Sequence, residues 1–119
     1  MDSRSVMKHK VVLVPFPFAD LSSAKVRPAV CLTEPIGKHR HVVLAFITSR
    51  APDEPLSTDL IFAEADKDFS VMGLRVSSTL QLHRMMTVAA NIIVRELGSL
   101  PISAQKEVEG KLKLLFGMK

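Results

Sequence analysis

Apolar residues in this chain come in short runs bounded by proline, glycine and polar clusters, and a helical spacing emerges only near the C-terminus. Val11-Val12-Leu13-Val14-Pro15-Phe16-Pro17-Phe18 is the first run. The two-residue period of a strand puts Val12, Val14, Phe16 and Phe18 on one face, the candidate core face, and Pro15 and Pro17 on the other. Alternate residues aim their N–H groups at the same strand edge, so the two prolines predict an edge or a bulge beyond which the sheet cannot grow. A polar loop from Ala19 to Val26 follows, too long for a two-residue hairpin. It is expected to project and to move. Arg27-Pro28 then opens a second strand, Ala29-Val30-Cys31-Leu32, and Pro28 biases Arg27 toward extended backbone at the strand's start. A functional cation and a strand-edge partner for Asp20 are both open readings of Arg27.

The continuous run Val42-Val43-Leu44-Ala45-Phe46-Ile47 predicts a strand buried on both sides, and Asp59-Leu60-Ile61-Phe62 a shorter one. From Ser78 to Val88, Leu80, Leu82, Met86 and Val88 alternate with polar residues, a half-buried strand interrupted at Arg84. Asn91 to Leu97 reads as a helical turn or a short strand, broken by Gly98-Ser99-Leu100-Pro101. Ser103 is the expected N-cap of a final helix in which Val108, Leu112, Leu115 and Phe116 form one apolar stripe, with Lys106, Lys111 and Lys113 on solvated sides and Gly117 as the stop. Short strands, long loops and one terminal helix predict a mainly β chain, a small antiparallel barrel with a flanking helix. Its 119 residues suffice for one domain, 1–119, and there are no internal repeats.

Composition narrows the function. With 47% hydrophobic residues in so small a domain, apolar surface exceeds what the fold can hide, and a homodimer is expected. No apolar run approaches the roughly 18 residues of a membrane span, and residues 1–10 lack a secretory hydrophobic segment, so a cytoplasmic protein is expected. A formal charge of +4 and a pI near 9.5 favour an anionic partner, nucleic acid or acidic polypeptide. Trp and Tyr are absent, which argues against an RNA reader built on a stacking platform. Cys31, the single cysteine, sits in an apolar strand as a small core residue. His39 and His41 flank Arg40 in a basic loop whose plain reading is a solvated cationic turn, and Glu64, Asp66 and Asp68 miss the EF-hand spacing. Neither a metal nor another cofactor is expected.

Thr48-Ser49-Arg50 ends the buried run, and two hydroxyls with a cation there suit an anion, although Thr-Ser is also ordinary strand-to-loop chemistry. VPFPFADLSSAKVRPAVCL, followed by AFITS, resembles the MazF/PemK toxins of type II toxin–antitoxin systems, and the similarity runs through nearly the whole chain. The resemblance implies a small SH3-like antiparallel β-barrel of the CcdB/PemK type with a C-terminal helix. It also implies a sequence-selective, metal-independent endoribonuclease acting on single-stranded mRNA through its 2′-hydroxyl, dimeric and neutralised by a cognate antitoxin protein. Arg27 and Thr48 match the family's characteristic catalytic pair; Ser22, Lys25, Ser49, Arg50 and Ser78 are the expected substrate contacts. Two departures stand out: His9-Lys10 where the family commonly has Gly-Asp, and Arg84 and Met86 where relatives often place Gln and Arg. The alternative is a toxin of the same fold that acts by protein binding, for instance on a topoisomerase, without catalysis.

Overall fold

In the computed structural model, which describes residues 6–16 and 25–119, six strands form one antiparallel sheet in the order β4-β5-β3-β2-β1-β6. They are β1 (Lys10–Phe16), β2 (Lys25–Cys31), β3 (His41–Thr48), β4 (Asp59–Phe62), β5 (Ser78–Ala89) and β6 (Arg95–Ser99), and one helix follows, α1 (Ile102–Leu115). The sheet curls into a half-barrel with the helix on one face, as the alternation of short strands and a terminal stripe predicts.

Both faces of the central strands are buried. On the helix face, Val11, Val30, Ala45, Ile47, Leu80 and Leu82 pack with Ala104 and Val108 of α1. On the other face, Val12, Val14, Ala29, Cys31, Val42, Leu44 and Phe46 form a second cluster, backed by Met86 and Val88. This is why β3 reads as an unbroken apolar run: its odd and even residues enter different cores. Val12 and Val14 hold the face expected of them; the side chain of Phe16, together with Pro17 and Phe18, lies outside the described residues. Burial pushes the Cys31 thiol up to about 11, as befits an inert core cysteine.

β1 pairs with β6 only from Lys10 to Leu13, whereas its pairing with β2 runs on through Pro15. The edge on the β6 side thus ends before the proline, which has no N–H to offer it. The interruption expected at Arg84 is a change of register within a continuous strand. Between the pairs Ala45–Met85 and Ile47–Leu80, β3 advances two residues and β5 five, so β5 carries three extra. An odd surplus inverts the alternation: Leu80 and Leu82 face the helix, Met86 and Val88 the opposite cluster.

The segment 90–99 is both of the expected alternatives in succession, a 3-10 turn at Ala90–Ile92 and then β6. Gly98 does not break that strand but lies inside it, because the backbone of Val71 comes so close that a β-carbon would meet its carbonyl oxygen at 2.2 Å. Ser103 is not the N-cap of α1. Pro101 is, and its carbonyl accepts the Gln105 N–H at 3.0 Å; with Leu100 buried at its shoulder, the helix starts before Ser103 is reached. The apolar stripe is carried by Ala104, Val108, Leu112 and Leu115, while Phe116 stands 59% exposed past the last turn. Gly117, at φ 68°, ends the helix in a Schellman arrangement, with its N–H on Leu114 O and the Met118 N–H on Lys113 O. Lys111 is not merely solvated: its Nζ donates to the Asp59 carbonyl at 2.8 Å and lies 3.6 Å from Glu107, tying α1 to β4.

Candidate functional site

β2 and β3 pair at Ala29–Phe46, Val30–Ala45 and Cys31–Leu44. Continued two residues outward, that register sets Arg27 opposite Thr48, on the face away from the helix. Arg27 also pairs with Val14 on its other side, and Thr48 with Thr79 of β5, so both stand on strands that are held on both edges. Where this face runs out from under its apolar cluster, a cleft of about 450 Å³ opens, lined by Arg27, Phe46, Thr48, Ser49, Arg50, Gln81 and Arg84. A second hollow of about 500 Å³ adjoins it, sharing Thr48, Arg50, Gln81 and Arg84 and extending to Pro52 and Asp53.

The cleft holds three guanidiniums, from Arg27, Arg50 and Arg84. Each is a planar cationic fork of donors, suited to a phosphate. Arg50 is set by Thr48: the Arg50 N–H donates to Thr48 Oγ1 at 3.1 Å, and the hydroxyl lies 3.4 Å from the Arg50 carbonyl. That second contact is long, so the hydroxyl proton can rotate to a better acceptor in the cleft. Among the described residues that line the two hollows, Asp53 carries the one carboxylate. No group of three or more His, Cys, Asp or Glu side chains among the described residues could hold a metal ion.

Of the residues expected from sequence, the structure brings Arg27, Thr48, Ser49 and Arg50 together. Lys25 lies two residues from Arg27 on the same face of β2, exposed but outside the cleft lining. Ser78 is not presented to a ligand: it is 7% exposed, and its hydroxyl donates to the Val76 carbonyl at 2.8 Å. Ser22 and the loop around it lie outside the described residues. Gln81 and Arg84 were missed as site residues. Both sit in the three-residue surplus of β5, which turns them toward the cleft, and the polar break in the apolar alternation of that strand was the signal.

The model of a family described as PemK-like, MazF-like toxin of type II toxin-antitoxin system matches residues 8–116. Among solved structures, the chain is similar to the Mycobacterium tuberculosis toxin MazF-mt6, with 19% identity over 92% of this chain and 98% of that one and a TM-score of 0.70. It is also similar to an endoribonuclease in complex with its cognate antitoxin from Mycobacterial species, at 12% identity over 97% and 98% of the chains and a TM-score of 0.69. The MazE-MazF structure (Form-II) from Deinococcus radiodurans is similar at 18% identity over 98% and 100%, with a TM-score of 0.66. At these identities the likeness is one of fold. No curated protein matches the chain by sequence. The family match spans both strands of the cleft and the final helix, and the chain therefore belongs to the PemK-like, MazF-like toxins of type II toxin–antitoxin systems.

Proposed function

We propose that this chain is a metal-independent endoribonuclease that cleaves single-stranded mRNA, with Arg27 and Thr48 acting on one phosphate. The observation that carries this reading is the β2–β3 register, which sets the two side chains across from one another at the mouth of a cleft rich in guanidinium groups. RNA brings its own nucleophile. The ribose 2′-oxygen attacks the adjacent phosphorus, its proton passes to an acceptor, the 5′-oxygen of the next nucleotide leaves and takes up a proton, and a 2′,3′-cyclic phosphate remains. Arg27 binds the nonbridging oxygens bidentately as negative charge gathers there, and the Thr48 hydroxyl adds a neutral donor. Ser49, Arg50, Gln81 and Arg84 hold the strand on either side. Arginine cannot serve as the base, and Asp53, on the lining of the adjoining hollow, is the carboxylate that the described residues offer there.

The related structures that contain an antitoxin support a cognate antitoxin here as well, and the apolar excess of the chain supports a homodimer. The deciding experiment incubates protein stripped of metal by EDTA with a long single-stranded RNA and maps the cut positions and end groups. Cyclic phosphate ends, formed far more slowly with Arg27→Ala, are expected. Intact RNA overturns the reading in favour of a toxin that acts by binding protein, and cleavage only with added magnesium overturns the metal-independent chemistry.

A further inference from the structure

At the opposite end of β3 from Thr48, the turn leading into the strand exposes Lys38, His39, Arg40 and His41 in succession. It is a built turn. Ile36 and His41 exchange backbone hydrogen bonds of 2.8 and 2.9 Å, the Arg40 N–H donates to Gly37 O at 3.1 Å, and Gly37 and Arg40 take left-handed φ values of 74° and 53°. The Ala90 N–H donates to the Arg40 carbonyl at 2.8 Å and pins the turn to the end of β5. A non-glycine residue held at positive φ by several hydrogen bonds marks a shape that the surroundings impose.

Beside this turn lies a hollow of about 550 Å³ lined by Met7, Lys38, His39, Arg40, Ala90 and Asn91. Met7 and Ala90, packed against the cluster that also underlies the Arg27–Thr48 cleft, give it an apolar floor. Two cations, an imidazole and an amide surround that floor. The one acidic residue of the turn, Glu34, accepts the Met7 and Lys8 N–H groups at 2.8 and 3.3 Å, so its charge is already engaged by the backbone. The hollow and the cleft thus stand at the two ends of an eight-residue strand, about 25 Å apart at the usual rise per residue.

We propose that this hollow is a second nucleotide site for the same single-stranded RNA, remote from the scissile phosphate. Lys38 and Arg40 contact a phosphate, His39 stacks on a base seated over Met7 and Ala90, and the Asn91 amide, which both donates and accepts, meets the base edge. A run of Asp and Glu would use the cations but leave the apolar floor uncovered, whereas a nucleotide offers a phosphate and a flat base together, which is why RNA is the better fit. The inference rests on the chain being an RNA-binding toxin.

The test measures binding of a 2′-O-methylated, uncleavable single-stranded RNA of about 20 nucleotides as a function of salt, a length that exceeds a single small-domain site. The double variant Lys38→Gln, Arg40→Gln should bind about tenfold more weakly with a salt slope smaller by roughly 1, and His39→Ala should weaken binding without changing the slope. Cleavage of a short oligonucleotide that fills the cleft alone should be the same in wild type and variants. Equal affinity and slope in wild type and the double variant overturn the inference, as does a loss confined to polyglutamate binding with RNA binding intact. Failure of the wild-type protein to bind RNA at all brings down the proposed function with it, whereas binding that ignores the turn brings down this inference alone.

Discussion

Thr48 accepts the backbone N–H of Arg50 at 3.1 Å, so a single hydroxyl both lines the cleft and holds the turn that delivers a second guanidinium to it. Thr48→Ala should therefore lose two things at once, a donor to the phosphate and the set of Arg50, whereas Thr48→Ser keeps both. Single-turnover cleavage should fall by roughly 10- to 100-fold in the alanine variant, about 1–3 kcal/mol, and stay within a few-fold in the serine variant. Equal rates in all three proteins would limit Thr48 to a structural part.

In the proposed reaction Arg27 makes the stronger contact. Arg27→Ala should then delete a charge-assisted interaction that grows in the transition state, a loss of about 2–4 kcal/mol or roughly 30- to 1,000-fold in rate. Arg27→Ala should remain folded, since the residue is exposed and outside both apolar clusters, and should still bind the antitoxin. Parental cleavage by a stably folded Arg27→Ala protein would move the site elsewhere.

His9 stands at φ 76° with Nδ1 buried and unpartnered, in the position where the resembling family commonly has glycine. Burial, aided by Lys8, holds its pKa below the ordinary 6.5, against the pull of Glu109 and Glu34. The unfolded chain then takes up the proton first. Stability should be flat in this term above pH 6.5 and fall as the pH drops from 6.5 toward the lower folded value. His9→Gly should abolish that fall and, by relieving the left-handed backbone, add on the order of 1 kcal/mol at neutral pH. Urea titrations at several pH values read both effects.

Gly98 is fixed by the approach of Val71, whose carbonyl oxygen lies 2.2 Å from where a β-carbon would be. Gly98→Ala must push the 3-10 turn at Phe69–Met72 off β6, and a cost above about 2 kcal/mol, or roughly 10 °C in Tm, is expected from calorimetry.

Assembly is checked most simply. Light scattering at micromolar protein should give a mass near twice 13.1 kDa, and a monodisperse monomer would remove the argument from hydropathy.

Taken by itself, the sequence determined the elements whose signal is local. The apolar run of β3, the short β4, the proline that stops the β1–β6 ladder and the glycine that ends α1 all act through backbone geometry or side-chain period within a few residues. It also offered Arg27 and Thr48, nominated by the resemblance to the MazF/PemK toxins and expected on one rim because antiparallel strands follow one another there. What the tertiary structure alone decided depends on distances between segments far apart in the chain. The three-residue surplus in β5 that turns Gln81 and Arg84 into the cleft exists only relative to β3. Gly98 is required only because Val71 passes over it, and Ser78 is withdrawn only because its hydroxyl finds the Val76 carbonyl. Lys111, legible as a solvated charge, becomes a tie because β4 presents a carbonyl to it across 52 residues of sequence. Periodicity reports which face a residue takes within its own element, and only packing reports what stands on the other side.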